Sequence, residues 1–197
     1  MFKNNRASGT WGRDQYGGAI YCTNLKCNNC TFEDNYSNDD AGAIYIHDGD
    51  KTEIRNSKFI RNNAELSGGA IYCGTITCNN CTFENNKAKK YAGAIYINDK
   101  EVSTIKNSKF INNTSPFNGG AINIDDNSAH VVIKNNSFKG NTVDKDGEGS
   151  IIYNYGHFDK ISNNYYGTNN PDWKNTLYEH KYFGLDVEHR DSNPVKL

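Results

Sequence analysis

The segment Gly42-Ala43-Ile44-Tyr45-Ile46, followed by Phe59 and Asn62, is one unit of the repeat that decides the fold. Two motifs alternate along the chain: Gly-Ala-Ile with an aromatic residue after it, and Phe-x-x-Asn. The Gly of the first motif recurs at Gly18, Gly42, Gly69, Gly93, Gly120 and Gly149, in steps of 24, 27, 24, 27 and 29 residues. A near-constant period of this length indicates a solenoid, in which each repeat packs only on its neighbours.

Within each repeat the residues alternate with a period of two, which is typical of β-strands. Ile44 and Ile46 share one strand face, whereas Ala43 and Tyr45 share the other. A further strand follows at Ile54, and Asn, Gly, Asp and Ser residues separate the strands, as turns require. We therefore predict an all-β fold, a single-stranded parallel β-helix of about six rungs of 24–29 residues each.

The Asn of the Phe-x-x-Asn motif is predicted to lie inside the stack and to hydrogen-bond to its equivalents in the rungs above and below. This structural ladder comprises Asn35, Asn62, Asn86, Asn113, Asn141 and Asn169.

The repeats predict a β-helix domain over residues 1–169. Because Phe2 and Asn5 belong to the second half of a rung, we expect the chain to be a fragment of a longer solenoid. Residues 170–197 bring Trp173 and other large aromatics without the repeat, so we expect a C-terminal cap or a lead into a following domain.

The charge balance gives no reason to expect a polyanionic partner. The formal net charge is −1 and the pI is about 6.5, so we expect no binding to nucleic acid. No apolar run approaches the ~18 residues that a membrane span needs, so we expect no membrane insertion by this segment. The start of the chain is polar and has no apolar core of a signal peptide, so we expect the signal sequence to be absent from this fragment.

With these motifs, the chain resembles the right-handed parallel β-helix (pectate-lyase-like) superfamily. Its Gly-Gly-Ala-Ile and Phe-x-x-Asn repeats are similar to those of chlamydial polymorphic outer-membrane proteins and, most of all, of methanogen adhesin-like surface proteins. The stretch 163–173, Asn-Asn-Tyr-Tyr-Gly-Thr-Asn-Asn-Pro-Asp-Trp, is similar to the Asn-Trp-Trp-Gly-x-Asn-x-Pro close of the archaeal group, with Tyr-Tyr in place of Trp-Trp. The resemblance implies a right-handed helix, export, and an extracellular or cell-surface role.

Two function classes fit this resemblance. The first is a non-catalytic, adhesin-like segment whose partner is carbohydrate or a surface protein of another cell. The second is a polysaccharide lyase or glycoside hydrolase that uses clustered turn carboxylates, for which Asp99, Asp125 and Asp126 are the candidates. Asp-rich turns are common without catalysis, and the uniform repeats leave little room for a special cleft, so we expect no enzyme.

The outward Tyr of each rung provides the best binding hypothesis. Flat aromatic rings could stack on sugar rings, although a stabilising tyrosine ladder would produce the same pattern. The candidates are Tyr21, Tyr45, Tyr72 and Tyr96.

Six cysteines form two sets 51 residues apart, Cys22, Cys27 and Cys30, then Cys73, Cys78 and Cys81. They could be buried small apolar residues, or they could form the within-rung disulfides Cys22–Cys27 and Cys73–Cys78. A metal site is the third alternative, but one set offers only three thiols.

We expect no cofactor, with calcium as the one alternative. The stretch 144–151 resembles the start of an EF-hand loop, with Asp144, Asp146 and Glu148 as candidate ligands. The position of the essential bidentate Glu holds Tyr155 instead, and the segment also fits the repeat motif.

Overall fold

A computed structural model describes residues 1–9, 15–47, 51–99, 101–144, 146–167 and 177–179. In this part of the chain, short parallel strands stack into four sheets. Each strand pairs with its equivalent one repeat away; Phe59, for example, lies between Phe32 and Phe83. The predicted all-β parallel β-helix is thereby confirmed.

We name the four sheets by what distinguishes them. The tyrosine sheet contains Ile20–Cys22, Ile44–Ile46, Ile71–Cys73, Ile95–Ile97, Ile122–Ile124, Ile152–Asn154 and Leu177–Glu179. The long sheet contains Leu25–Asn28, Lys51–Arg55, Thr75–Asn79, Val102–Lys106, His130–Lys134 and His157–Ser162. The phenylalanine sheet contains Phe2–Lys3, Thr31–Glu33, Lys58–Ile60, Thr82–Glu84, Lys109–Ile111 and Ser137–Lys139. The short sheet contains Arg6–Ala7, Tyr36–Ser37, Asn63–Ala64 and Lys87–Ala88.

The number of turns follows from the phenylalanine sheet. Its six strands are separated by five steps, so the stack from Phe2 to Phe138 comprises five turns. The strand Leu177–Glu179 pairs in parallel with Ile152–Asn154 and continues the tyrosine sheet beyond residue 169. The boundary at residue 169 and the role of 170–197 stay predictions.

A column of stacked phenylalanine rings fills the interior. Successive ring centroids lie 4.8–4.9 Å apart, which is the spacing of neighbouring strands. The inner members are completely buried: Phe32, Phe59, Phe83, Phe110 and Phe138. Burial of one such side chain contributes roughly 1.5–3 kcal/mol, so this column is a major source of cohesion between rungs.

A column of asparagines lies beside the phenylalanines. The Oδ1 of Asn86 accepts hydrogen bonds from the backbone N–H and the Nδ2 of Asn62, both at 3.0 Å. The Asn86 Nδ2 donates to Phe59 O at 3.0 Å and to Asn113 Oδ1 at 2.9 Å. Because the amide uses its donors and its acceptor, a polar side chain can lie in the core without an unpaired group. Asn35, Asn62, Asn113 and Asn141 belong to the same column, and Asn169 lies outside the described residues.

The motif glycine is required by a close approach between rungs. A Cβ atom added to Gly42 would lie 2.2 Å from the carbonyl oxygen of Gly69. The backbone of the next rung therefore excludes any side chain here, which explains why Gly opens the Gly-Ala-Ile motif.

Candidate functional site

The tyrosines form a column on the outer face of the tyrosine sheet. The centroid distances are 5.4 Å from Tyr21 to Tyr45, and 4.8 Å from Tyr45 to Tyr72 and from Tyr72 to Tyr96. The planes of neighbouring rings differ by 1–16°, so the rings lie face to face. Tyr16 packs beside the exposed end of the column, with its ring 4.4 Å from that of Tyr45 and 6.3 Å from that of Tyr21.

This geometry changes the chemistry that the column offers. A ring already stacked on both faces at about 4.8 Å leaves no space for a sugar between it and its neighbour. What faces outward is the edge of each ring with its hydroxyl group. A sugar therefore cannot stack on the ring faces between Tyr45, Tyr72 and Tyr96, and binding by these tyrosines stays a prediction.

Exposure falls steeply along the column. Tyr21 is 52% exposed, Tyr45 and Tyr72 are partly buried, and Tyr96 is only 7% exposed. The ring of Tyr91 lies 6.5 Å from that of Tyr96, and Phe117 packs 5.7 Å from Tyr91. This added aromatic layer covers Tyr96, so Tyr96 is not the surface residue that its place in the repeat predicts.

Polar groups meet the hydroxyl edge of the column. The Asn98 Nδ2 donates to the Tyr72 hydroxyl at 2.8 Å, and the Tyr96 hydroxyl donates to the Asp125 carboxylate. Burial raises the pKa of Tyr45 to about 12, and burial with the Asp125 bond raises the pKa of Tyr96 further. These phenols are therefore neutral hydrogen-bonding groups at physiological pH and cannot act as bases.

Asp40 is the ionisable residue at this site that sequence reasoning missed. Burial raises the pKa of its carboxyl to about 6, although Oδ1 accepts a hydrogen bond from the Ser67 backbone N–H at 2.7 Å. Its charge contributes to the raised pKa values of Tyr45 and Tyr72, which places it beside the tyrosine column. The sequence does distinguish Asp40 from its surroundings. It lies two residues before the motif glycine, at a position where the residue type varies between rungs while the following residues repeat.

The candidate catalytic acids take part in local structure. Asp125 accepts the hydrogen bond from Tyr96, and Asp126 Oδ1 accepts one from the Ser128 backbone N–H at 2.6 Å, which closes a turn. Asp99 is half-buried just after the strand Ile95–Ile97. Two of the three carboxylates are thus engaged in positioning the chain and not directed at a common point.

The candidate calcium ligands also lie in a turn. The Gly147 N–H donates to the Asp144 carbonyl oxygen at 2.9 Å, and the Glu148 N–H donates to Asn118 Oδ1 at 3.2 Å. Asp146 is exposed. Over the described residues, no group of three or more His, Cys, Asp and Glu side chains is arranged to hold a metal ion.

The cysteines require a correction. The possible bonds Cys22–Cys27 and Cys73–Cys78 do not form; the structure instead joins Cys27 to Cys30 and leaves Cys22, Cys73, Cys78 and Cys81 as thiols. Of these thiols, those of Cys73, Cys78 and Cys81 are buried, as the alternative of small apolar residues predicts. The reason is that Cys22 pairs with Ile46 in the tyrosine sheet, whereas Cys27 pairs with Ile54 in the long sheet. Cys30 follows Cys27 across a single turn, with Cα atoms 6.3 Å apart.

The sequence family agrees with this architecture. The family model for right-handed β-helix regions matches residues 40–195, which is most of the chain. The chain belongs to the right-handed β-helix family. Members of this family wind in a right-handed sense, in agreement with the handedness that the resemblance implied. In addition, the repeat of Chlamydia polymorphic membrane proteins matches residues 1–23 and 29–47 of this β-helix.

Other comparisons add no relative. No curated protein and no solved structure matches this β-helix. The described residues contain no helix that is long and apolar enough to cross a membrane.

Proposed function

We propose that this β-helix is a non-catalytic, adhesin-like segment of an extracellular surface protein, and that it binds carbohydrate or a surface protein of another cell. The match of residues 1–23 and 29–47 to a repeat named for polymorphic membrane proteins supports the placement at a cell surface. We also propose that the chain is related to the methanogen adhesin-like proteins, whose repeats its motifs resemble.

The observation that carries the binding proposal is the hydroxyl edge of the tyrosine column at its exposed end. Tyr21 is 52% exposed and Tyr45 is partly exposed, with ring centroids 5.4 Å apart. Neutral phenol groups repeated at this spacing can hydrogen-bond to hydroxyl or amide groups that recur along an extended ligand. The ligand therefore contacts ring edges at Tyr21, Tyr45 and Tyr72, and not the buried Tyr96.

A polysaccharide lyase or hydrolase based on Asp99, Asp125 and Asp126 is the competing function. The bonds of Asp125 to Tyr96 and of Asp126 to Ser128 favour a structural role for these acids. The same experiment can distinguish the two functions, because binding and turnover have separate signals.

The test is retention on a panel of polysaccharides and on intact cells, with calcium and with chelator, while released reducing or unsaturated ends are measured. We expect retention without turnover. Tyr21→Phe/Tyr45→Phe should lower retention at least tenfold, because it removes two hydroxyls but keeps the stacked rings. Tyr36→Phe is the matched control, since Tyr36 lies in the short sheet and its hydroxyl donates to Glu65 at 2.9 Å. Release of sugar ends, or equal loss in the control, would contradict the proposal.

A further inference from the structure

The two cysteine sets include a seven-residue sequence that occurs twice. Cys-Asn-Asn-Cys-Thr-Phe-Glu spans residues 27–33 and again residues 78–84, a shift of 51. Cys27 and Cys78 both pair with Ile54, from opposite sides, in the long sheet. The two copies therefore lie at the same register position, two rungs apart.

The local geometry of the two copies is also the same. The second turn residue is left-handed in both, with φ of 58° at Asn29 and 56° at Asn80. The Cys30 N–H donates to Ser57 Oγ at 3.1 Å, and the Cys81 N–H donates to Ser108 Oγ at 3.1 Å.

The sulfur atoms have equivalent surroundings as well. Cys27 Sγ lies 3.8 Å from Ser57 Oγ, and Cys78 Sγ lies 3.8 Å from Ser108 Oγ. The turn that joins Cys27 to Cys30 is therefore repeated at Cys78 and Cys81.

The second pair is held by the same turn. Cys81 Sγ donates to the Asn79 carbonyl oxygen at 3.4 Å, and both Cys78 and Cys81 are buried. A thiolate is the species that attacks a disulfide, so oxidation begins when either cysteine of the pair loses its proton.

We propose that Cys78 and Cys81 form a second within-rung disulfide, equivalent to Cys27–Cys30, and that Cys22 and Cys73 stay as thiols. The oxidant is a small-molecule disulfide such as oxidised glutathione. The thiolate of one cysteine attacks it, forms a mixed disulfide and releases one thiolate; the thiolate of the other cysteine then attacks the protein sulfur of this mixed disulfide and releases the second. The two protein thiols lose two electrons and two protons, and the added disulfide is reduced to two thiols.

Burial determines when this exchange occurs. Cys78 is 0% and Cys81 is 2% exposed in the folded chain. The oxidant therefore reaches them during folding, before the rung that contains them packs on its neighbours. Cys73 belongs to another sheet, where its Sγ lies 3.7 Å from the Tyr96 carbonyl oxygen, and burial raises its pKa well above the ordinary value. Cys73 therefore lies in a different strand from the turn that joins Cys78 to Cys81, and it does not compete for Cys78.

The test uses the full chain carrying Cys22→Ala/Cys73→Ala, refolded with reduced and oxidised glutathione. The protein is then denatured without reductant, alkylated and weighed intact. We expect no alkyl groups, and a mass lower by four hydrogens than that of the reduced chain. The matched control adds Cys81→Ser and should take up one alkyl group, mapped to Cys78 by peptide fragmentation.

Two outcomes would overturn the proposal. Two alkyl groups at Cys78 and Cys81 would show that only the first pair oxidises. A cross-link between residues of different rungs, such as Cys27 with Cys78, would show that register equivalence does not control the pairing.

Discussion

The phenylalanine column and the tyrosine column are built on the same spacing, yet they differ in what surrounds them. Ring centroids lie 4.8–4.9 Å apart along the phenylalanines and 4.8–5.4 Å apart along the tyrosines. The five stacked phenylalanines of the inner column from Phe32 to Phe138 are fully buried, whereas exposure along the outer column falls from 52% at Tyr21 to 7% at Tyr96. Inside the solenoid, each phenylalanine of the column packs between equivalent phenylalanines. On the outer face, the side chains that cover each tyrosine differ from rung to rung.

This difference indicates which positions of the β-helix can carry side chains that are specific to one rung. Interior positions are constrained by the rungs above and below, so they repeat. Outer positions depend on side chains that vary from rung to rung, such as Asp40, Tyr91 and Phe117. The proposed binding therefore involves the outer column, whereas stability depends mainly on the inner one.

The largest effect is expected from breaking the inner column. Phe83→Ala should lower the free energy of unfolding by about 4 kcal/mol, because it removes a fully buried ring and leaves a cavity between two stacked rings. Tyr21→Ala is the outer counterpart and should cost less than about 1 kcal/mol, since its ring is half-exposed. Urea denaturation measures both, and equal losses would contradict the contrast between the columns.

A smaller effect is expected from the buried amide ladder. Asn86→Ala should cost about 3 kcal/mol, because it leaves the Asn62 backbone N–H and Nδ2 without their acceptor. Asn28→Ala serves as the exposed control: its Oδ1 accepts one bond from Asn56, at 2.8 Å, and its loss should cost less than about 0.5 kcal/mol. Denaturant midpoints that shift equally would show that the ladder contributes no more than a surface bond.

The smallest effect is expected at Asp40 and depends on pH. Folding raises the pKa of this carboxyl from an ordinary value of 3.8 to about 6, so the folded state prefers the protonated acid. Its contribution to stability is fully present below about pH 4 and is lost as the pH rises through about 6, a change of at most about 3 kcal/mol that solvent screening of this partly exposed carboxyl reduces.

Asp40→Asn therefore should raise the melting temperature at pH 7.5 and remove this part of the pH dependence, while its side-chain oxygen still accepts from Ser67. Melting curves from pH 4 to 7.5 measure the effect. Asp39→Asn removes the same charge from the neighbouring residue, and an identical profile would assign the effect to net charge and not to burial.

The sequence by itself determined the solenoid and the interior columns. Period-two alternation and a fixed repeat require like residues to stack, so the inward placement of Phe59 and Asn62 follows from spacing alone. The match to the right-handed β-helix family covers residues 40–195 and agrees with that reasoning.

Only the tertiary structure decided which outer residues are accessible and which cysteines meet. The burial of Tyr96 depends on Tyr91 and Phe117 from neighbouring segments, and the raised pKa of Asp40 depends on the surroundings of one rung. The pairing of Cys27 with Cys30, instead of Cys22, depends on which sheet each residue joins. A repeat specifies what every rung shares, whereas these features arise from contacts that a single rung makes.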